Sequence, residues 1–241
     1  MNGYAWRCFL CGAWFLEHVA ACTSCLESGT VVRAGKRPAA AFDTVAEVTT
    51  AAKLAKASFT IVRSEAYGKL RLGAGVLLVV YGPPGSGKST FTTRLVNALA
   101  GPVVYQSTEE GLGESLRARL DRCKIRRDDF TLVGAHASVD QVVDIIRTRR
   151  AIALAVDSVQ VAAYTAEELR RLLIVLGPTL QLVVAICQVN KRGRIEGRER
   201  LTHEGDVVVR VESMEWVIEK SRFQPSGIAG SVLEEDDDAT T

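Results

Sequence analysis

The stretch Val76-Leu-Leu-Val-Val-Tyr81, followed at once by Gly82-Pro-Pro-Gly-Ser-Gly-Lys88-Ser89-Thr90, decides the fold class of this chain. Six successive apolar residues read as a strand buried on both faces, the situation of a strand inside a parallel sheet. The glycine-rich turn after it opens a helix-compatible run over residues 90–100, the context that a phosphate-binding loop requires. Glycines let backbone amides curl around a phosphate, and the helix N-terminus adds partial positive charge. The candidate nucleotide contacts are therefore Gly82, Pro83, Pro84, Gly85, Ser86, Gly87, Lys88, Ser89 and Thr90. Lys88 is placed to reach β and γ oxygens, and Ser89 to offer its hydroxyl to Mg²⁺, while Thr90 continues the helix.

Working outward, Ala151-Ile-Ala-Leu-Ala-Val-Asp157 is a second apolar run that ends in a carboxylate, where ligands of open parallel sheets bind. Asp157 is the expected second Mg²⁺ ligand; an N-cap for the following segment is the plainer reading. The run Pro102-Val-Val-Tyr-Gln-Ser-Thr108 ends in Glu109 and Glu110. Transfer of a phosphoryl group depends on positioning and charge, so Glu109, with Glu110 second, is the candidate to orient the attacking water. Carboxylates at a helix N-terminus would look the same. A fourth apolar strand over residues 180–187 buries Cys187 and leads to Gln188, a candidate γ-phosphate contact.

The 241 residues carry 30 Lys plus Arg against 28 Asp plus Glu, with 47% hydrophobic residues. That balance excludes wholesale disorder and a fibrous chain, and fits one α/β domain with a small appendage. No apolar run approaches the roughly 20 residues that span a bilayer, so a cytoplasmic protein without membrane contact is expected. With a net charge of +2, any polyanion-binding surface must be local. Residues 191–200 supply one: Lys191, Arg192, Arg194, Arg198 and Arg200 lie in a glycine-containing segment suited to nucleic-acid phosphates or, equally, to solvent.

Cys8-x2-Cys11 and Cys22-x2-Cys25 bring four thiols within eighteen residues, a spacing that can hold one Zn²⁺ tetrahedrally; two disulfides or reduced buried thiols are the alternatives. The expected organisation is a zinc ribbon at 1–30, a basic linker at 31–72, an α/β core at 73–228, and an acidic, disordered tail at 229–241. Toward the end, residues 206–212 and 214–219 read as strands joined at Ser213 by a tight hairpin or a bulge, and Lys220 and Arg222 follow as paired cations.

In order, these features resemble the RadA/Sms family of RecA-like DNA repair ATPases. The resemblance runs through the four cysteines, the loop from Gly82 to Ser89, Ser107 to Glu110, Asp157-Ser-Val-Gln160, the series Lys191, Gly193, Ile195, Gly197, Leu201 and His203, and Lys220-Ser-Arg-Phe223. It implies a RecA-like core with a mostly parallel sheet, ATP and Mg²⁺ as cofactors beside Zn²⁺, a homo-hexamer, and single-stranded DNA as partner. Lys220 and Arg222 would then act on the ATP of a neighbouring copy. Only residues 228–241 follow Gly227, so a form without the family's protease-like C-terminal domain is expected. The loop after Gln160 is also shorter than the family's. The alternative reading is an ATP-switched adaptor, akin to a helicase loader, that grips a partner protein through the zinc ribbon.

Overall fold

The computed structural model describes residues 4–8, 14–15, 31–36, 61–63, 67–134, 137–177, 179–189 and 199–233. The chain divides into two units, Met1–Ser58 and Phe59–Thr241. In the first, β1 (Tyr4–Cys8), β2 (Trp14–Phe15) and β3 (Val31–Lys36) form an antiparallel sheet in the order β2-β1-β3. Cys11, Cys22 and Cys25 lie outside the described residues, as does the side chain of Cys8.

The second unit holds β4 (Ile61–Arg63) paired with β5 (Arg71–Gly73), and one large sheet. The sheet is built from β6 (Val76–Gly82), β7 (Val103–Ser107), β8 (Phe130–Val133), β9 (Ala153–Asp157), β10 (Leu182–Gln188), β11 (Val207–Glu212), β12 (Glu215–Ser221) and β13 (Ala229–Ser231). Its order is β13-β12-β11-β6-β10-β9-β7-β8. The six strands from β11 to β8 are parallel, and β12 and β13 run antiparallel at one edge. This is the mostly parallel sheet that the apolar runs predict. Its central strands are apolar almost throughout because helices cover both faces.

On one face sit α1 (Lys88–Asn97) and α2 (Glu114–Arg122), with Phe91, Leu95 and Leu99 packed into one core with Leu78, Val80 and Ala155 of the sheet. On the other lie α3 (Val139–Arg149), α4 (Ala166–Val175) and α5 (Glu199–Glu204), burying Ile146, Leu169, Leu173 and Leu201. Capping boxes close α3 (Ser138 with Gln141) and α4 (Thr165 with Glu168). Among the described residues no helix is long and apolar enough to cross a membrane.

The packed core extends past the 73–228 limits read from the sequence. Tyr67, Leu70 and Leu72 are buried at one end, and β13 and Val232 belong to the sheet and core at the other. Tyr67 stacks on Phe91 with ring centroids 4.6 Å apart and meets Trp216 edge-on at 5.8 Å. Such aromatic pairs add about 0.5–1.5 kcal/mol each beyond their burial. Here they tie α1 to β12. A second adjustment concerns Arg200, expected in the basic loop: it stands in α5, paired with Glu167 and Glu204. Lys191, Arg192, Arg194 and Arg198 lie outside the described residues.

Candidate nucleotide site

The register of the parallel strands gathers the site. Gln188 is opposite Gly82, Asp157 is opposite Ser107, and Ile186 is opposite Asp157. The carboxyl ends of β6, β7, β9 and β10 therefore meet at one edge of the sheet, where open α/β sheets bind ligands.

The loop between β6 and α1 is shaped for close approach. Gly85 and Gly87 have φ of 75° and 102°, the left-handed region that glycine enters without penalty. A Cβ on Gly82 would run into the carbonyl of Val211. Gly87 is the N-cap of α1 and offers no side-chain cap, and the first turn has no acidic residue. The first amides of this helix thus stay available to an anion. Lys88 is buried, and its Nζ donates to the carbonyls of Gly82 at 2.9 Å and Pro83 at 2.7 Å. Burial pushes its pKa down against the opposing pull of Asp157 and Glu109.

Asp157 is buried at the end of β9 and accepts two bonds on one oxygen, Oδ2: from the Tyr105 hydroxyl at 2.7 Å and from Arg119 Nη1 at 2.9 Å. The peptide bond from Asp157 to Ser158 is cis. Arg119, on α2, is 3% exposed; its Nη2 lies 3.1 Å from Glu110 Oε2, and its guanidinium sits 5.3 Å from the Tyr105 ring centre. Burial works against the guanidinium charge, but Tyr105, Asp157 and Glu110 outweigh it, so the Arg119 pKa moves up. Burial also raises the Tyr105 hydroxyl pKa well above its usual value, with Asp157 adding to it.

The two adjacent carboxylates part company. Glu110 turns to Arg119, whereas Glu109 Oε1 accepts from Gln188 Nε2 at 2.6 Å. The carbonyl of Asp157 accepts from the amide and hydroxyl of Thr108, at 2.6 and 2.8 Å, and from the Glu109 amide at 3.3 Å. The base of the Glu109 segment is thus clamped to β9. The helix after it begins only at Glu114, so neither Glu109 nor Glu110 is a helix N-terminal carboxylate.

The site fits a divalent cation and a phosphate chain. It combines a hydroxyl-bearing helix start at Ser89, the Asp157 carboxylate, whose bonds from the described residues fall on Oδ2, and buried hydroxyls of Ser86, Ser107 and Ser158 that lack a partner among the described residues. Buried polar atoms without partners call for an explanation, and a polar ligand supplies one. No group of three or more His, Cys, Asp or Glu side chains among the described residues is arranged to hold a metal by itself.

Lys220 and Arg222 are not brought to this site. The Lys220 ammonium donates to the carbonyls of Thr202 and His203, at 3.2 and 2.6 Å, and Arg222 Nε lies 3.2 Å from Asp206. Asp206 accepts from the amide of Leu77, at the start of β6, toward the edge of the sheet opposite the phosphate loop. Two residues of the site, Arg119 and Tyr105, belong to none of the sequence motifs. Tyr105 follows the period-two alternation of β7 and so shares a face with Ser107, but nothing local distinguishes Arg119 from its neighbours.

A family model described as "AAA domain" matches residues 42–198. No curated relative is similar enough to count as a match. Among solved structures, a KaiC-like protein, PH0186 from Pyrococcus horikoshii OT3, is similar at 16% identity and TM-score 0.54, covering 71% of this chain and 94% of its own. A RadB recombinase crystal structure is similar at 20% identity and TM-score 0.47, covering 65% of this chain and 86% of its own. The phosphate loop, the strand-end carboxylate and the mostly parallel sheet are thus accompanied by a family match over more than half of the sequence, and the chain belongs to the AAA domain family.

Proposed function

We propose that this protein is a Mg²⁺-dependent ATPase that works as an oligomer on single-stranded DNA, in recombination, repair or replication. The observation that carries the ATPase reading is the meeting of Lys88, Asp157, Glu109 and Gln188 at one sheet edge around an uncapped helix N-terminus.

In this reading the amides of residues 85–89 hold the β-phosphate. Lys88 exchanges its bonds to the Gly82 and Pro83 carbonyls for β and γ oxygens. Ser89 and Asp157 would hold a Mg²⁺ ion, which would supply neutralisation of phosphate charge. Glu109 orients the attacking water and takes its proton as the bond from the γ-phosphorus to the bridging oxygen breaks, leaving ADP and phosphate. Gln188 holds Glu109 in place and reports the presence of the γ-phosphate to the segment after β10.

Membership of the RadA/Sms group rests on the ordered motifs. DNA binding rests on the charge of Lys191, Arg192, Arg194 and Arg198, since Arg200 is paired with Glu167 and Glu204. Ring assembly rests on the resemblance, in which Lys220 and Arg222 would serve the ATP of a neighbouring copy. A single Zn²⁺ on Cys8, Cys11, Cys22 and Cys25 completes the proposal, with one zinc per chain expected by elemental analysis.

The deciding experiment is phosphate release with and without single-stranded DNA, for the wild type and for Lys191→Ala, Arg192→Ala, Arg194→Ala combined. Stimulation by DNA that the triple variant loses supports the proposal. Turnover indifferent to DNA, with no salt-sensitive DNA binding, removes the DNA reading and favours an ATP-switched adaptor.

A further inference from the structure

The hairpin of β11 and β12 pairs Glu212 with Glu215, leaving Ser213 and Met214 as a two-residue turn. Both have positive φ, 52° and 65°. Turns of this kind favour Asn-Gly or Asp-Gly because a side chain crowds the backbone in the left-handed region. A methionine there breaks a local rule, and such breaches gather where function holds them in place.

What Met214 touches gives the reason. Its amide donates to the carbonyl of Ser86 at 3.0 Å, and its own carbonyl accepts from the amide of Val232 at 2.8 Å. Its sulfur lies over Gly87, so close that a Cβ on that glycine would come within 2.6 Å of it. The preceding strand presses the Val211 carbonyl against Gly82. Two residues further on, Trp216 packs 6.0 Å from the ring of Phe91 on α1. The hairpin thus forms one wall of the phosphate loop, touching it at its beginning, middle and end.

We infer that Met214 is a positioning residue for nucleotide phosphate binding: its side chain braces Gly87, the N-cap of α1, in the conformation that presents the first amides of the helix, while its backbone amide holds the Ser86 carbonyl. An unbranched, polarisable thioether suits this task, since it lies flat on glycine backbone where a chain branched at Cβ would clash. The inference rests on the nucleotide-site reading above. Any residue but proline at 214 keeps the amide bond to Ser86, so the side chain can be tested alone.

The experiment measures affinity for a fluorescent ATP analogue together with the thermal midpoint, for the wild type, Met214→Leu, Met214→Ala, Ser213→Asn with Met214→Gly, and Lys88→Ala. The expected results are a double variant at least as heat-stable as the wild type yet binding about fivefold more weakly, Met214→Ala weakened in the same direction, and Met214→Leu within about twofold of wild type. A merely structural turn would move stability and affinity together. Wild-type affinity in both the double variant and Met214→Ala overturns the inference while leaving the site intact. Failure of the wild type itself to bind, indistinguishable from Lys88→Ala, overturns the nucleotide site and this inference with it.

Discussion

Arg119 Nη1 lies 2.9 Å from Oδ2 of Asp157, and both side chains are almost wholly buried, 3% and 6% exposed. The strand-end carboxylate of this ATPase-like core therefore has a buried cation partner on α2. A buried pair of this kind need not add net stability, but its disruption leaves a stranded charge.

The first prediction follows from that. Arg119→Ala should destabilise the fold by about 3–5 kcal/mol in urea unfolding, whereas Asp157→Asn in the Arg119→Ala background should recover part of the loss. Additive effects of the two substitutions would show that the pair is not coupled.

Tyr105→Phe removes one of the two bonds on Oδ2 and changes no charge. A loss of about 1 kcal/mol is expected, because a single hydrogen bond contributes roughly that much net. Nucleotide affinity should stay near wild type, measured by titration at saturating Mg²⁺.

The divergence of Glu109 and Glu110 gives a third prediction. Glu109→Gln should keep nucleotide affinity and lower kcat by about 10²–10⁴-fold, the usual span for loss of a general base. Glu110→Gln should act mainly on stability through Arg119. Equal loss of kcat in both variants would contradict the assignment.

Asp206 supplies a pH dependence. Burial alone would raise its pKa, but the bonds from Arg170 and the Leu77 amide, with the charges of Arg170 and Arg222, hold it below the usual carboxylate value. A depressed folded-state pKa means stability that is present above the unfolded value, about 3.9, and is lost as pH falls through the lower folded value. Asp206→Asn should flatten this acid limb of the unfolding midpoint against pH; an unchanged slope would rule out the Arg170–Asp206 pair as its source.

The parts of the site that are legible in the sequence are those whose chemistry is local. Gly82 to Ser89 follows an apolar run and opens a helix, and Asp157 ends another such run, so strand, turn and ligand sit together in the chain. The long-range partners are not legible. Arg117 and Arg119 are two residues apart on one helix, yet the first side chain is 75% exposed and the second 3%. Only the sheet order, which puts β7 between β8 and β9, decides which of them meets Asp157. The sequence offers Ser213 alone as the turn, because neither Ser213 nor Met214 is a turn former at positive φ. The conformation of the pair comes from contacts with Ser86 and Gly87, far earlier in the chain.

The most direct test of the central claim is steady-state phosphate release from ATP by the purified protein, with Mg²⁺ and with Mg²⁺ chelated, for the wild type and for Lys88→Ala. Mg²⁺-dependent release that Lys88→Ala abolishes is the predicted result. Release at the same rate in the variant, or none from a folded wild type with or without single-stranded DNA, would contradict it.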